Sequence, residues 1–335
     1  WQPMQSRKSK SKMVDLKDTA GGAPLVSVSC TTYNHAAYIR QCLDPILSQQ
    51  TNFPFEIVIH DDASTDGTRE IIEEYVAKYP DIIFPIYQTE NQYSKGIRGL
   101  PSRYNYPRCR GRYIAICEGD DYWTDPLQLQ KQVDFLEAHD DYVMTYHDME
   151  VVDQDGIIIQ QSPIPPRHKK DASKEDLILG RRVPMTLTLC FRNVIKEFPP
   201  EKNKVTNGDT FLISLLGHYG KGKWLGADIG NAMYRSHPGG VWSMVNSDDK
   251  LPVRINTYYW LYRYYTRIGK KNYALKWYDK ILYTVMMFEP GNAGAKDSHY
   301  IDGRVVTSRN ILQKVWYSVR WVWRRVLVWV VVRGR

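Results

Sequence analysis

Two short acidic clusters, HDDASTDGT (60–68) and EGDDYWTDP (118–126), hold the residue types best suited to chemistry. Each follows a β-rich run directly: Asp61 and Asp62 come after FEIVIH (55–60), and Glu118, Asp120 and Asp121 come after RYIAIC (112–117). Taken alone, an Asp-Asp-x-Ser at a strand–helix junction reads best as a turn with a helix cap. The repetition changes that reading, because carboxylates gathered at one sheet edge repel one another unless a cation lies among them. Oxygen ligands without a Cys/His cluster point to Mg²⁺ or Mn²⁺ rather than zinc. Tyr122 and Trp123 add aromatic faces on which a base or a sugar can stack.

The elements that must position these clusters follow from periodicity. The β-rich runs LVSVSC (25–30), FEIVIH (55–60), IIFPIY (82–87) and RYIAIC (112–117) alternate with helical AAYIRQCLDPILSQQ (36–50), DGTREIIEEYVAKY (66–79) and LQLQKQVDFLEAH (127–139). Thr65 or Asp66 is the expected N-cap of the second helix, and Leu129, Val133 and Leu136 share one face of the third. This alternation predicts an α/β fold: a mainly parallel sheet with helices on both faces and its ligand site at the carboxyl ends of the strands. Further on, YVMTYHDMEVV (142–152) is expected as an edge strand or hairpin and residues 155–170 as a proline-rich basic loop. VPMTLTLCF (183–191) reads as strand-like, Asp209 to His218 as a helix, and the aromatic-rich 253–287 as helical.

Composition bounds the function. The 335 residues are 43% hydrophobic and 24% charged, ordinary values that exclude collagen-like, low-complexity and wholly disordered chains. The net charge of +8 invites nucleic acid as a partner until it is located. Residues 1–20 hold five basic and two acidic groups, and residues 301–335 hold eight basic and one acidic, which leaves 32 basic and 34 acidic between. The body is therefore not basic, and nucleic acid is not an expected partner. Five cysteines without a CxxC pair (Cys30, Cys42, Cys109, Cys117, Cys190) suggest a reduced, cytosolic setting, and the N-terminal stretch lacks the order of a signal peptide.

Several ordered segments together resemble family 2 glycosyltransferases of the GT-A fold. They are TTYNHAAYIRQCLDPILSQ (31–49), EIVIHDDASTDGT (56–68), Asn91 within TENQYSKG (89–96) and GRYIAICEGDDYWTDPLQLQKQ (111–132), with thinner similarity at NGDTF (207–211) and YRSHPGGVWS (234–243). The resemblance implies that Thr31 and Tyr33 border the nucleotide base, with Tyr33 stacking on it. Asp62, or Asp61 beside it, would accept a hydrogen bond from the base ring. Asp120 and Asp121 stand where the family has its Asp-x-Asp metal motif, Asp120 near ribose or metal and Asp121 as a direct ligand. Glu118 departs from that pattern. Arg103 or Arg98 would contact the diphosphate.

The implied reaction is transfer of a sugar from a nucleotide-diphosphate sugar, a UDP-sugar first among them, to a hydroxyl of a glycan or lipid-linked acceptor, with Mn²⁺ or Mg²⁺ as cofactor. Inverting members need a carboxylate as general base, and Asp209 is our choice, since it follows an Asn-Gly turn and opens a helix. The competing reading of Asp209 is a helix N-cap. His237, ahead of Pro238 and two glycines, would close the metal's coordination or touch the diphosphate; His35 is assigned no role. A sugar-phosphate nucleotidyltransferase needs a glycine-rich loop after the first strand, and SCTTYNH contains no glycine. A non-catalytic binding protein using its basic ends is the alternative from another class.

The expected organisation is a flexible basic lead-in over 1–22 and a GT-A domain over 23–245, with its nucleotide-binding part at 23–150 and its acceptor part at 151–245. A helical region over 246–312 and a Trp/Arg-rich tail over 313–335 follow. In that tail the longest apolar run, VLVWVVV (326–332), is far short of the roughly 20 residues that span a bilayer. Its arginines and tryptophans suit an anionic membrane surface, so the protein is expected to be peripheral at the inner face of the cell membrane.

Overall fold

The computed structural model describes residues 22–182, 184–240 and 247–286. The expected lead-in up to residue 21 and the Trp/Arg-rich tail lie outside them. Val26–Thr32 (β1) and Phe55–Asp61 (β2) are buried almost throughout, as befits strands inside a parallel sheet. β2 pairs in parallel with β1 and with Ile83–Tyr87 (β3), and Tyr113–Ile116 (β4) flanks β1 on its other side, also in parallel. Polar groups inside these strands are matched. Ser27 donates to Glu56 at 2.6 Å and accepts from the Gly111 N–H at 2.8 Å, while Arg110 reaches the buried Glu56 carboxylate at 2.6 Å.

Ile39–Leu47 (α1), Thr68–Lys78 (α2) and Gln128–Ala138 (α3) follow β1, β2 and β4. Leu129, Val133 and Leu136 are buried together on α3 as the spacing predicts. α2 begins later than expected: its N-cap is Gly67 at φ 97°, not Thr65 or Asp66. Asp66 instead accepts from the Thr68 N–H and hydroxyl and from the Ala36 N–H, tying the start of α2 to the loop before α1.

The segment 142–152 forms two strands of different sheets, Tyr142–Tyr146 (β5) and Met149–Val152 (β6). β5 is not an edge strand, because other strands pair with it on both sides, and Val143 through Tyr146 are all buried. The supposed loop after it contains Ile158–Gln160 (β7). Of the strand-like run 183–191, the described residues form a strand only at its end, Cys190–Arg192 (β8), since Thr186–Thr188 turns as a short 3-10 helix. Lys221–Trp224 (β9) and Ala232–Arg235 (β10) complete two sheets, ordered β3-β2-β1-β4-β8-β5-β9 and β10-β6-β7. β8 runs antiparallel to both its neighbours, so the large sheet is mixed but mainly parallel.

Lys174–Ile178 (α4) and Gly208–Leu216 (α5) contribute to the core on one face of the large sheet, and α1, α2 and α3 to the core on the other. Ser247–Arg267 (α6) and Lys271–Met286 (α7) form a helical hairpin turned at Gly269. Leu261, Tyr265, Ala274 and Trp277 of this hairpin pack on Phe211 and Leu215 of α5, and the Tyr265 hydroxyl lies 2.8 Å from that of Ser214. Among the described residues no helix is long and apolar enough to cross a membrane.

Candidate active site

The strand ends remain zipped beyond the strands themselves. Asp62 N–H donates to the Thr32 carbonyl and Gly119 N–H to the Thr31 carbonyl, each at 3.0 Å, so the carboxyl ends of β1, β2 and β4 form one edge. The loops after β1 and β2 are also cross-linked. Asn34 accepts from the Thr65 N–H at 2.9 Å and donates its own N–H to Ser64 Oγ at 2.8 Å, and His35 N–H donates to Thr68 Oγ1 at 2.8 Å. These bonds hold Asn34 and Ala63 at φ 55° and 63°, a region that side-chain-bearing residues seldom occupy. Ser64, Asp66 and Thr68 thus shape the loop.

The two aspartates of the first cluster are engaged differently. Asp61 accepts from the Ser64 hydroxyl and N–H, and burial raises its pKa. Asp62 accepts the N–H groups of Gln92 (2.8 Å) and Tyr93 (3.0 Å), fastening the loop after β3. Beside them Thr31 is half-buried and Tyr33 is 43% exposed. Arg98 stacks on Tyr93 at 4.3 Å, and the exposed Arg103 donates through Nε to the Arg98 carbonyl at 3.1 Å.

The second cluster is built on Gly119 and Tyr122. A Cβ at Gly119 would stand 2.6 Å from Thr32 Oγ1 and 3.1 Å from His35 Nδ1, so only glycine lets the loop lie this close to β1. Tyr122 exchanges both backbone hydrogen bonds with Met233 of β10 (3.1 and 2.8 Å), which brings Arg235 and His237 to the acidic loop. Trp123, expected as a stacking face, is buried in the core, and its indole N–H donates to the Leu187 carbonyl at 2.8 Å.

Asp120 and Asp121 point into different surroundings. Asp121 is 2% exposed and accepts the Arg235 N–H at 2.8 Å; burial, then the Asp120 and Glu118 charges, push its pKa well up. Its Oδ1 is thus engaged by β10. Asp120 Oδ2 lies 3.0 Å from His237 Nε2 and 3.9 Å from His35 Nε2. Burial opposes its charge, but the hydrogen bond from His237 and the nearby His35 outweigh burial and hold its pKa down. Burial lowers the pKa of His35 in turn, against the pull of Asp120.

Arg235, a residue no sequence pattern singles out, fastens the arrangement. It is fully buried between Tyr38 (4.7 Å) and Tyr122 (5.5 Å), and it donates to the carbonyls of Asp120 (2.9 Å), Asp153 and Gln154 (both 3.0 Å) and to the Gln41 side chain.

Asp209 lies near enough to Glu118 for its charge to be felt there. Burial, then the Asp209 and Asp120 charges, push Glu118 up to about 8, and its Oε2 is buried without a hydrogen-bond partner among the described residues. Asp209 is not the helix cap; Asn207 is, accepting from the N–H groups of Asp209 (3.2 Å) and Thr210 (3.3 Å). Asp209 is open to solvent yet ringed by protein, which raises its pKa against the pull of Lys202. That lysine is buried, and burial lowers it to about 8; a Cβ on Gly208 would crowd its Nζ at 2.8 Å. Tyr234 senses Asp121, Asp120, Glu118 and Asp209 together, and its pKa is raised by burial and by all four. An excess of carboxylate, an orphaned carboxylate oxygen, and His35, Asp120 and His237 with ligand atoms within 4.8 Å of one another fit a divalent cation. His35 and Lys202 escaped the sequence reading; the one signal for His35 is its place in the loop after β1, at the ligand edge of the sheet.

Comparison with known proteins agrees with this geometry. A profile described as glycosyl transferase family 2 matches residues 27–197, just over half of the chain. An uncharacterized protein of Mycobacterium tuberculosis is 34% identical over 225 residues, covering 67% of this chain and 62% of the relative. An uncharacterized glycosyltransferase of Nostoc sp. is 31% identical over 221 residues, covering 63% and 65%. TuaG of Bacillus subtilis, described as a putative teichuronic acid biosynthesis glycosyltransferase, is 36% identical over 113 residues, covering 34% and 42%. The chain therefore spans less than two thirds of the length of these relatives. The crystal structure of S. aureus TarS 1-349 with UDP-GlcNAc superposes with a TM-score of 0.51 at 21% identity, covering 70% of this chain and 66% of TarS. With a family profile over residues 27–197 and a mixed, mainly parallel sheet gathering carboxylates at its edge, the chain belongs to glycosyl transferase family 2 and has the GT-A fold.

Proposed function

We propose that the chain is a cation-dependent, inverting glycosyltransferase that takes a nucleoside-diphosphate sugar, a UDP-sugar foremost, and glycosylates a hydroxyl of a glycan or lipid-linked acceptor. The observation that carries this reading is the convergence of Glu118, Asp120 and Asp209 at the carboxyl edge of the sheet, with His237 against Asp120. Asp120 and His237 would hold Mn²⁺ or Mg²⁺, which when bound neutralises the diphosphate and the charge growing on its leaving oxygen. Asp121 acts from behind by fixing β10. Tyr33 offers its exposed ring to the base, beside Thr31 and Asp61, while Asp62 holds the loop of residues 91–93 along the same side. Arg103, exposed on the turn at 101–105, is the proposed diphosphate contact.

In the reaction the acceptor oxygen attacks the anomeric carbon from the face opposite the diphosphate. The bond to the β-phosphate oxygen breaks, and the nucleoside diphosphate leaves with the electron pair. Asp209 takes the acceptor's proton. A raised pKa makes it a stronger base than a surface aspartate, and the Lys202 ammonium favours its ionised form. The description of TuaG supports a surface-polysaccharide acceptor, and the Trp/Arg-rich tail supports work at the cytoplasmic face of a membrane.

Nucleotide release from a panel of UDP-, GDP- and dTDP-sugars with Mn²⁺ tests the reading. Wild type should release nucleotide from at least one donor, while Asp209→Asn should bind that donor within a few-fold of wild type and turn over about 10²–10⁴-fold more slowly. No release from any donor would sink the proposal, and undiminished turnover by Asp209→Asn would remove Asp209 as the base.

A further inference from the structure

A second imidazole faces the Asp120 carboxylate. His35 Nε2 lies 3.9 Å from Asp120 Oδ2 and His237 Nε2 lies 3.0 Å from it, with the two rings nearly perpendicular at 80° and their centroids 5.6 Å apart. Ligands about 2.1 Å from one ion lie about 3.0 Å apart at a right angle and about 4.2 Å apart across it, so both distances fall in the range open to ligands of a single ion.

His35 is also oriented from the far side. Its Nδ1 contacts Thr32 Oγ1 at 3.1 Å and its backbone N–H donates to Thr68 Oγ1 at 2.8 Å. A partner on one ring nitrogen is what fixes the tautomer and the aim of a metal-binding histidine. Gly119 leaves the room this pairing needs, since a Cβ there would press on both Thr32 and His35.

We propose that His35 is a third protein ligand of the cation, completing a His35–Asp120–His237 face that favours Mn²⁺ and later first-row ions over Mg²⁺. The inference rests on the reading of Asp120 and His237 given above. Two nitrogens and one oxygen are a poor set for Mg²⁺, which takes oxygen ligands and keeps its waters, and a better one for ions that accept imidazole. Ligands from three separate segments of chain leave the opposite face of the ion for diphosphate oxygens and water.

Mn²⁺ titration followed by electron paramagnetic resonance, with UDP present, reads binding without any turnover. Electron-spin-echo modulation of the bound ion should show two imidazole nitrogens in wild type and one in His35→Ala. His35→Ala should also weaken Mn²⁺ binding about 10–100-fold, while Mg²⁺ binding, measured by calorimetry, changes by less than about 3-fold. One imidazole nitrogen in the wild-type protein overturns the proposal whether or not the variant folds, and leaves the cation-dependent reading standing. Wild type that binds no Mn²⁺ in the presence of UDP overturns both.

Discussion

Replacing Arg235 with lysine should loosen the acidic loop and the segment after β10 that carries His237. The guanidinium donates to four acceptors spread over three places: the Asp120 carbonyl, the carbonyls of Asp153 and Gln154, and the Gln41 side chain of α1. A lysine ammonium is a point donor and can serve one or two of them, so two or three are left without a partner inside the protein. At about 1.5 kcal/mol for each hydrogen bond from a charged donor, the loss is about 3–4.5 kcal/mol. For a domain of this size about 1 kcal/mol moves Tm by about 2–4 °C, so Arg235→Lys should melt about 10 °C below wild type. Circular-dichroism melts measure this, and the same samples should bind Mn²⁺ about 10–100-fold more weakly, because the Arg235 guanidinium positions the Asp120 backbone. A Tm within about 2 °C of wild type together with unchanged Mn²⁺ binding would refute the view that this arginine holds the site together.

Glu118 makes stability depend on pH in an unusual direction for an acid. Its pKa is about 8 in the folded protein against an ordinary 4.5, so the folded chain keeps a proton that the unfolded chain releases. The cation-free protein should therefore lose stability as pH rises from about 4.5 to about 8 and level off above. Melts of Glu118→Gln should lack this fall, and Mn²⁺ should offset it in wild type; a wild-type profile already flat across that window contradicts the assignment. Deleting residues 314–335 should release the protein from anionic vesicles in a sedimentation assay while turnover of a soluble donor survives. Retention on the vesicles would show that the tail is not the membrane contact.

The first half of the fold was legible because its signals are local. Runs such as FEIVIH and the apolar face of Leu129, Val133 and Leu136 meet the same requirement in sequence and in space. The second half was not. β5 reads as an edge strand in isolation, yet the distant β8 and β9 enclose it, and no local pattern announces strands of three or four residues that are stabilised by their partners. At the site the sequence pointed to the carboxylates but not to their orientation. Asp120 and Asp121 are adjacent, and only the pairing of Tyr122 with Met233 decides that one turns toward His237 and the other toward the backbone of β10. Trp123 looked like a ligand face because its neighbours are acidic, but its indole fills the core. His35 and Arg235 gain their places through contacts across 85 and 194 positions of chain, a separation that periodicity cannot register.

The central claim is that sugar transfer runs on a cation held at Asp120. Nucleotide release from a donor that the protein turns over, measured in Mn²⁺, after EDTA, after Mn²⁺ is restored, and in Asp120→Asn, tests it most directly. Release should vanish with EDTA, return with Mn²⁺, and fall by about 10²–10³-fold or more in Asp120→Asn at saturating donor. Release that is indifferent to EDTA, or an Asp120→Asn variant as fast as wild type, would contradict the account.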